Sequence, residues 1–184
     1  YRIAFDPNAA GTRFYINDVG QGTVEDISEG RKGGDFGWNC FEGTRVNRSD
    51  GPCAGVSFAS TVAPTFEYRR EGQFAGCASI TGGAFVPAGV WPAAYDGAYL
   101  FGDFVCQKIF MLLPNGTAQL FSSGAGAPTH MAFGPDEGGQ ALYYADFSSD
   151  RVYRVRYGGG GGNRAPTARI SATPTAGEPP LQVA

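Results

Sequence analysis

The residues best suited to chemistry lie between Phe14 and Asn39, in the stretch FYINDVGQGTVEDISEGRKGGDFGWN. The apolar run Phe14-Tyr15-Ile16 predicts a strand that turns at Asp18-Val19-Gly20-Gln21-Gly22. Glu25, Asp26 and Glu29 follow, and then the glycine-rich Gly33-Gly34-Asp35-Phe36-Gly37-Trp38. Glycines on either side of Gln21 permit positive φ, which would point carbonyls one way. Carbonyls converging beside carboxylates suit a hard cation such as calcium, which takes about six to eight oxygens. The same spacing also fits a hairpin turn with solvated acids, and the chain has no full D-x-D-x-D-G loop.

Other reactive side chains are few. His130 is the only histidine, and a lone strand histidine is more often structural than a general base. Ser79 and Thr81, in Cys77-Ala78-Ser79-Ile80-Thr81-Gly82-Gly83, offer hydroxyls to a ligand, although S-x-T-G-G also fits a strand-end turn. The four cysteines, Cys40, Cys53, Cys77 and Cys106, include no C-x-x-C, so zinc is not indicated. An even count in a loop-rich β chain points to disulfides in an oxidising compartment, with three connectivities open. Trp38 and Trp91 could stack on a sugar, but Val90-Trp91-Pro92 ahead of a strand fits packing better. A net charge of −3 with no basic patch excludes a nucleic-acid surface. No apolar run approaches the ~20 residues of a membrane span.

Short strands must position these residues. With 29 glycines and 12 prolines in 184 residues, long helices are disfavoured. Tyr1, Ile3 and Phe5 alternate with Arg2 and Ala4, the pattern of a half-buried strand. Three segments share one plan: Ala4-Phe5-Asp6-Pro7 leads to Asp18, Ala84-Phe85-Val86-Pro87 to Asp103, and Ala132-Phe133-Gly134-Pro135 to Asp146. The second and third copies then add strands at Lys108–Leu113 and Arg151–Tyr157. Ala84 and Ala132 are 48 residues apart, near the length of a propeller blade. Ala4 and Ala84 are 80 apart, which accommodates two blades or one blade with a long insertion. The recurrence of Asp18, Asp103 and Asp146 suggests a structural turn role. About three such units would make an incomplete propeller with exposed flanks. The five glycines Gly158–Gly162 read as a flexible linker, and a chain that opens at Tyr1 inside a strand reads as a fragment.

Residues 1–157 resemble the soluble glucose/sorbosone dehydrogenase family, quinoproteins built as six-bladed β-propellers. Asp18-Val19-Gly20-Gln21 stands where that family has an E-x-G-P turn. Glu25-Asp26-Ile27 matches its D-E-hydrophobic step, and Gly34-Asp35-Phe36-Gly37-Trp38 its G-x-N-Y-G-W. The resemblance implies oxidation of a sugar with pyrroloquinoline quinone (PQQ) and calcium, electrons passing to an external acceptor. Gly20 and Gln21 match positions whose backbone carbonyls ligate that calcium. Glu25 falls at an acidic position that could support the loop or a second cation. Cys77 and Cys106 occupy places where bacterial members carry cysteines, implying the disulfides Cys77–Cys106 and Cys40–Cys53.

The departures from the family are equally specific. Its catalytic histidine lies in an earlier blade, outside this chain. Val105 stands at the cofactor lysine, and Ala127 and Thr129 at cofactor arginines. Residues 163–184, from Asn163-Arg164-Ala165-Pro166 to Pro180-Leu181-Gln182-Val183, resemble the start of a PKD domain, an immunoglobulin-like sandwich of secreted proteins. The expectation is therefore an all-β chain: C-terminal blades of a six-bladed propeller (1–157), a linker (158–162) and a truncated PKD domain (163–184). The longer protein would be a secreted or periplasmic dehydrogenase, with PKD contact to carbohydrate, and this piece alone would be inactive. Two alternatives are a non-catalytic carbohydrate- or protein-binding propeller and a calcium-dependent lactonase. The lactonase would need Asp18, Glu25, Asp103 and Asp146 as metal ligands.

Overall fold

The structure, a computed structural model, describes residues 1–137 and 139–158. The PKD-like segment and all but the first residue of the glycine run lie outside the described residues. The strands are β1 (Arg2–Phe5), β2 (Phe14–Asp18), β3 (Val24–Glu29), β4 (Phe41–Glu42), β5 (Arg45–Val46), β6 (Phe66–Arg69) and β7 (Ile80–Phe85). They continue with β8 (Tyr99–Asp103), β9 (Lys108–Leu112), β10 (Ala118–Ser123), β11 (Pro128–Asp136), β12 (Gly139–Asp146) and β13 (Arg151–Val155). Among the described residues, helix is confined to four single turns of 3-10 type, in keeping with the density of glycine and proline.

Each repeat is one antiparallel sheet. The first has the order β1-β2-β3-β6, the second β7-β8-β9-β10 and the third β11-β12-β13. The 80-residue interval is thus a single blade with an insertion from Gly30 to Thr65, carrying the small β4-β5 hairpin. The sheets stack in chain order, with β7 adjacent to both β1 and β11. The architecture is all-β, that of part of a β-propeller.

Two apolar seams hold the stack. Between the first and second sheets lie Tyr15, Ile27, Tyr68, Phe85, Tyr99, Phe101 and Phe110. Tyr15 sits 4.7 Å from Phe85 and 5.0 Å from Tyr99 between ring centroids. Between the second and third sheets lie Leu100, Ile109, Met111, Met131, Leu142 and Tyr144. Trp91 belongs to this seam, stacked on Phe121 and edge-on to Phe133. It is packing material, and its surface is not offered to a sugar.

The β7 strand is central to both seams. The Gly82-Gly83 pair predicted as a strand-end turn lies inside β7. A Cβ on Gly82 would meet the His130 backbone at 2.7 Å, so glycine there admits the close approach of β11. Cys40 is bonded to Cys53, and Cys77 to Cys106.

The alternation of Tyr1, Ile3 and Phe5 forms a strand as predicted, yet the apolar side of that strand faces outward. Phe5 is 66% exposed, while its counterpart Phe85 is 3% exposed. Phe85→Ala is therefore expected to cost about 3–5 kcal/mol of unfolding free energy, and Phe5→Ala within about 0.5 kcal/mol. Urea denaturation of the two variants measures the difference.

Candidate functional site

The registers place one set of turns at a common end of the sheets. Arg2 pairs with Asn17, Ile80 with Asp103 and Pro128 with Asp146. The turns after Asp18, Asp103 and Asp146, and the approaches to β7 and β11, therefore share this end. Here lie Gly20, Gln21, Ser79 and Val105.

The loop from Gly20 to Val24 is held from inside by two carboxylates. Glu25 Oε2 accepts from the Gly20 N–H at 3.2 Å. Glu42 Oε1, on β4, accepts from the N–H groups of Gly22 (2.9 Å), Thr23 (2.7 Å) and Val24 (3.1 Å). Burial opposes the Glu42 anion, but those three N–H groups hold its carboxyl below the usual range. Among the described residues no hydrogen bond is donated to the carbonyls of Gly20 or Gln21. The glycines act differently from expectation. Neither Gly20 nor Gly22 has positive φ. Gly20 is required because a Cβ would lie 1.7 Å from the Val24 carbonyl oxygen and 2.5 Å from Glu42 Oε1, whereas a Cβ on Gly22 would meet open space. Carboxylates take up the loop amides and leave the Gly20 and Gln21 carbonyls free; carbonyl oxygen is among the donors a hard cation takes.

Glu25 and Asp26 are not solvated acids. Glu25 is fully buried, and its Oε2 also accepts from the Ile80 N–H at 3.1 Å, tying the loop to β7. Its Oε1 has no hydrogen-bond partner; the Arg70 guanidinium stands 3.8 Å away. Burial pushes the Glu25 carboxyl up to about 6, against the opposing pull of the Ile80 and Gly20 N–H groups. Asp26 lies directly between Asp18 and Glu67 across β2, β3 and β6. Burial, and then the Asp18 charge, push its carboxyl up to about 7.

The recurrent aspartates have distinct fates. Asp103 is fully buried and accepts from the N–H groups of Ala78, Ser79, Val105 and Cys106 and from the Tyr68 hydroxyl at 2.7 Å. Asp146 accepts from the Ala127 and Ser148 N–H groups and the Ser148 and Ser149 hydroxyls. Both clamp the turn that follows and the approach to their own inner strand. Asp18 is exposed. Asp103 and Asp146 therefore lack the free oxygens that a lactonase-type metal centre would need.

Ser79 and Thr81 lie at the start of the β7 segment. The Ser79 backbone is engaged on both sides, its N–H by Asp103 and its carbonyl by the Phe104 N–H. Its half-buried hydroxyl makes no hydrogen bond among the described residues. Thr81 is buried, and its hydroxyl donates to the Pro128 carbonyl, bridging the second and third sheets. His130, on β11, lines a cavity of about 380 Å³ with Ile3, Phe5, Phe85 and Phe133. Burial, and then the Arg2 charge, lower its pKa, so the ring is neutral at physiological pH. Sequence reasoning missed Glu42. It is 18 or more residues from the amides it holds, and no local pattern joins them.

No family model matches the chain. It is 30% identical over 156 residues to the HIPL1 protein of Arabidopsis thaliana, covering 78% of this chain and 22% of that protein. It is 33% identical over 114 residues to the HIPL2 protein of the same plant, covering 60% of this chain and 16% of that one. The chain thus spans about a fifth of the curated relatives it matches. Among solved structures it is similar to the PQQ-bound form of aldose sugar dehydrogenase from Streptomyces coelicolor. The TM-score is 0.56 and the identity 19%, over 91% of this chain and 40% of that one. At that identity the likeness shows a shared fold. Among the described residues, no helix is long and apolar enough to cross a membrane.

The raised Asp26 carboxyl gives a signed expectation. An unfolded aspartate titrates near 3.9, so between about 4 and about 7 the folded chain binds the extra proton and stability falls as pH rises. Asp26→Asn is expected to match the unsubstituted chain at pH 4 and to exceed it by about 2–4 kcal/mol at pH 8. Urea unfolding in metal-free buffer at the two pH values measures this.

Proposed function

We propose that this chain forms the C-terminal blades of a longer, secreted or periplasmic sugar dehydrogenase. That enzyme uses PQQ and calcium to oxidise an aldose or sorbosone-like sugar and passes electrons to an external acceptor. In this reading residues 1–157 are propeller, 158–162 a linker and 163–184 the start of a PKD domain in contact with extracellular carbohydrate. The observation that carries the reading is the Gly20–Val24 loop, which keeps two carbonyls free at the strand ends of a fold shared with a quinone-bound aldose sugar dehydrogenase. The two disulfides suit an oxidising compartment.

The carbonyls of Gly20 and Gln21 would hold the calcium. The Glu42 and Glu25 carboxylates fix the loop from behind, in the manner of outer-shell partners. The Ser79 hydroxyl would bind cofactor oxygens, and Thr81, its proton given to Pro128, would contribute only as an acceptor. When bound, calcium and quinone supply an electrophile that accepts hydride from the sugar carbon. The base that takes the sugar hydroxyl proton is assigned to an earlier blade, so the 184-residue chain by itself should not turn over.

One observation favours a second reading, a non-catalytic recognition propeller. Val105, at the position of the family's cofactor lysine, is a half-exposed apolar side chain, and Ala127 is buried. Neither can pair with a quinone carboxylate.

Titrating PQQ with calcium into the longer protein, followed by dye reduction with a panel of aldoses, separates the two readings. Saturable quinone binding with sugar-dependent reduction is expected. No quinone binding by a folded, calcium-loaded protein would leave the recognition reading. Glu42→Ala, which strands three loop N–H groups, is expected to weaken calcium binding about 10–100-fold by calorimetry.

A further inference from the structure

Arg2 is the first residue of β1, at the strand end that also holds the Gly20 loop and Ser79. Its register partner is Asn17, and directly opposed residues of a sheet project from the same face. That face meets the second sheet: Asn17 Nδ2 donates to the Thr81 carbonyl at 2.6 Å, and Asn17 Oδ1 accepts from the Tyr99 hydroxyl at 2.9 Å. Arg2 therefore projects toward the start of β7. His130 of β11 reaches the same region, because its backbone packs against Gly82, which has no side chain to hold it off. Burial first, and the Arg2 charge second, keep the imidazole below its usual pKa, which sets the two side chains near one another.

Arg2 is half-buried and has no anion. Arg13, Arg48, Arg70, Arg154 and Arg156 each stand within 4 Å of a carboxylate; Arg2 does not, among the described residues. Its Nε is buried without a hydrogen-bond partner. The acceptors of the surrounding strands are already engaged. Asn17 holds the Thr81 carbonyl, Tyr99 holds Asn17 Oδ1, the Thr81 hydroxyl holds the Pro128 carbonyl, and the Tyr1 ammonium holds the Asn17 carbonyl at 2.6 Å. Asp18, next to Asn17, projects from the opposite face and is exposed. A partly desolvated guanidinium with no partner is costly to the fold alone, and a ligand carboxylate would offset that cost.

We propose that Arg2 supplies the cation for a carboxylate of the bound quinone, with the His130 imidazole beside it as a further donor. The identity of the ligand rests on the dehydrogenase reading. The assignment fills the gap left by Val105, Ala127 and Thr129, none of which carries charge. The cation comes instead from the inner strand of the first sheet, at the same strand end as the Gly20 and Gln21 carbonyls.

His130 is the only histidine, so its Cε1–H proton resonance reports on this place in the 184-residue chain. The probe is phthalate, an aromatic dicarboxylate that is not a quinone. Saturating phthalate is expected to raise the His130 titration midpoint by at least about half a pH unit, since a nearby anion favours the imidazolium. Arg2→Gln, which keeps the Tyr1 ammonium, is expected to abolish the rise, and Arg2→Lys to retain part of it. Equal rises in Arg2→Gln and the unsubstituted chain, or none in either, would overturn the proposal. Arg2→Met is read identically if Arg2→Gln does not fold. In the longer protein loaded with calcium, PQQ binding measured by equilibrium dialysis is expected to weaken about 10–100-fold in Arg2→Gln. Equal PQQ binding by the two proteins would overturn the role of Arg2 and leave the dehydrogenase reading standing. No PQQ binding by the unsubstituted protein, with phthalate still sensed at His130 through Arg2, removes the dehydrogenase and keeps Arg2 as a carboxylate site.

Discussion

A β-sheet that is apolar on both faces cannot stand alone in water, and this constraint organises the whole chain. The second sheet shows it most fully. Alternate residues of β8 and β9 point into opposite seams, Phe101 and Phe110 toward the first sheet and Leu100, Ile109 and Met111 toward the third. Neither face has a polar side to offer solvent, so the sheet is stable only between two neighbours. The stacking order, the place of β7 between β1 and β11, and the common strand end all follow from satisfying both faces.

Stacking buries the backbone at the strand ends, and those polar groups need partners. The chain solves this with carboxylates and amides placed at the seams. Asp103 gathers four backbone N–H groups and a tyrosine hydroxyl. Glu25 joins the Gly20 loop to Ile80, and Asn17 donates to the Thr81 carbonyl while accepting from Tyr99. The Cys77–Cys106 disulfide spans two loops whose neighbouring N–H groups Asp103 holds, so covalent and polar restraints act on one turn. The insertion acts on the corresponding turn of the first sheet. The Cys40–Cys53 bond lies next to β4, which delivers Glu42 to the amides of the Gly20 loop. A loop restrained in this way has its carbonyls held in place by the fold itself.

The polar seam also separates residues that look alike in the sequence. Three aspartates close three equivalent repeats, yet two are consumed as turn clamps and one is exposed. Two hydroxyls in S-x-T-G-G differ similarly, since Thr81 bridges to Pro128 and Ser79 does not. Of the adjacent acids Glu25 and Asp26, one braces the loop against the second sheet and the other is trapped between Asp18 and Glu67.

The sequence by itself determined the all-β class and the repeat, and it set the glycines and acids of the Gly20 loop side by side. Alternation, turn residues and the A-F-x-P to Asp spacing are local, and local backbone preference expresses them directly. It could not determine the 80-residue interval, the direction in which β1 turns its apolar side, or the role of Gly20. Those depend on which sheet lies next and on a steric clash with Val24 and Glu42. Glu42 itself was invisible for the same reason. Its partners lie far along the chain, and only stacking of the insertion against the first sheet brings the carboxylate to the amides. What the tertiary structure decided, then, was which polar groups are spent on holding the fold and which remain available to a ligand.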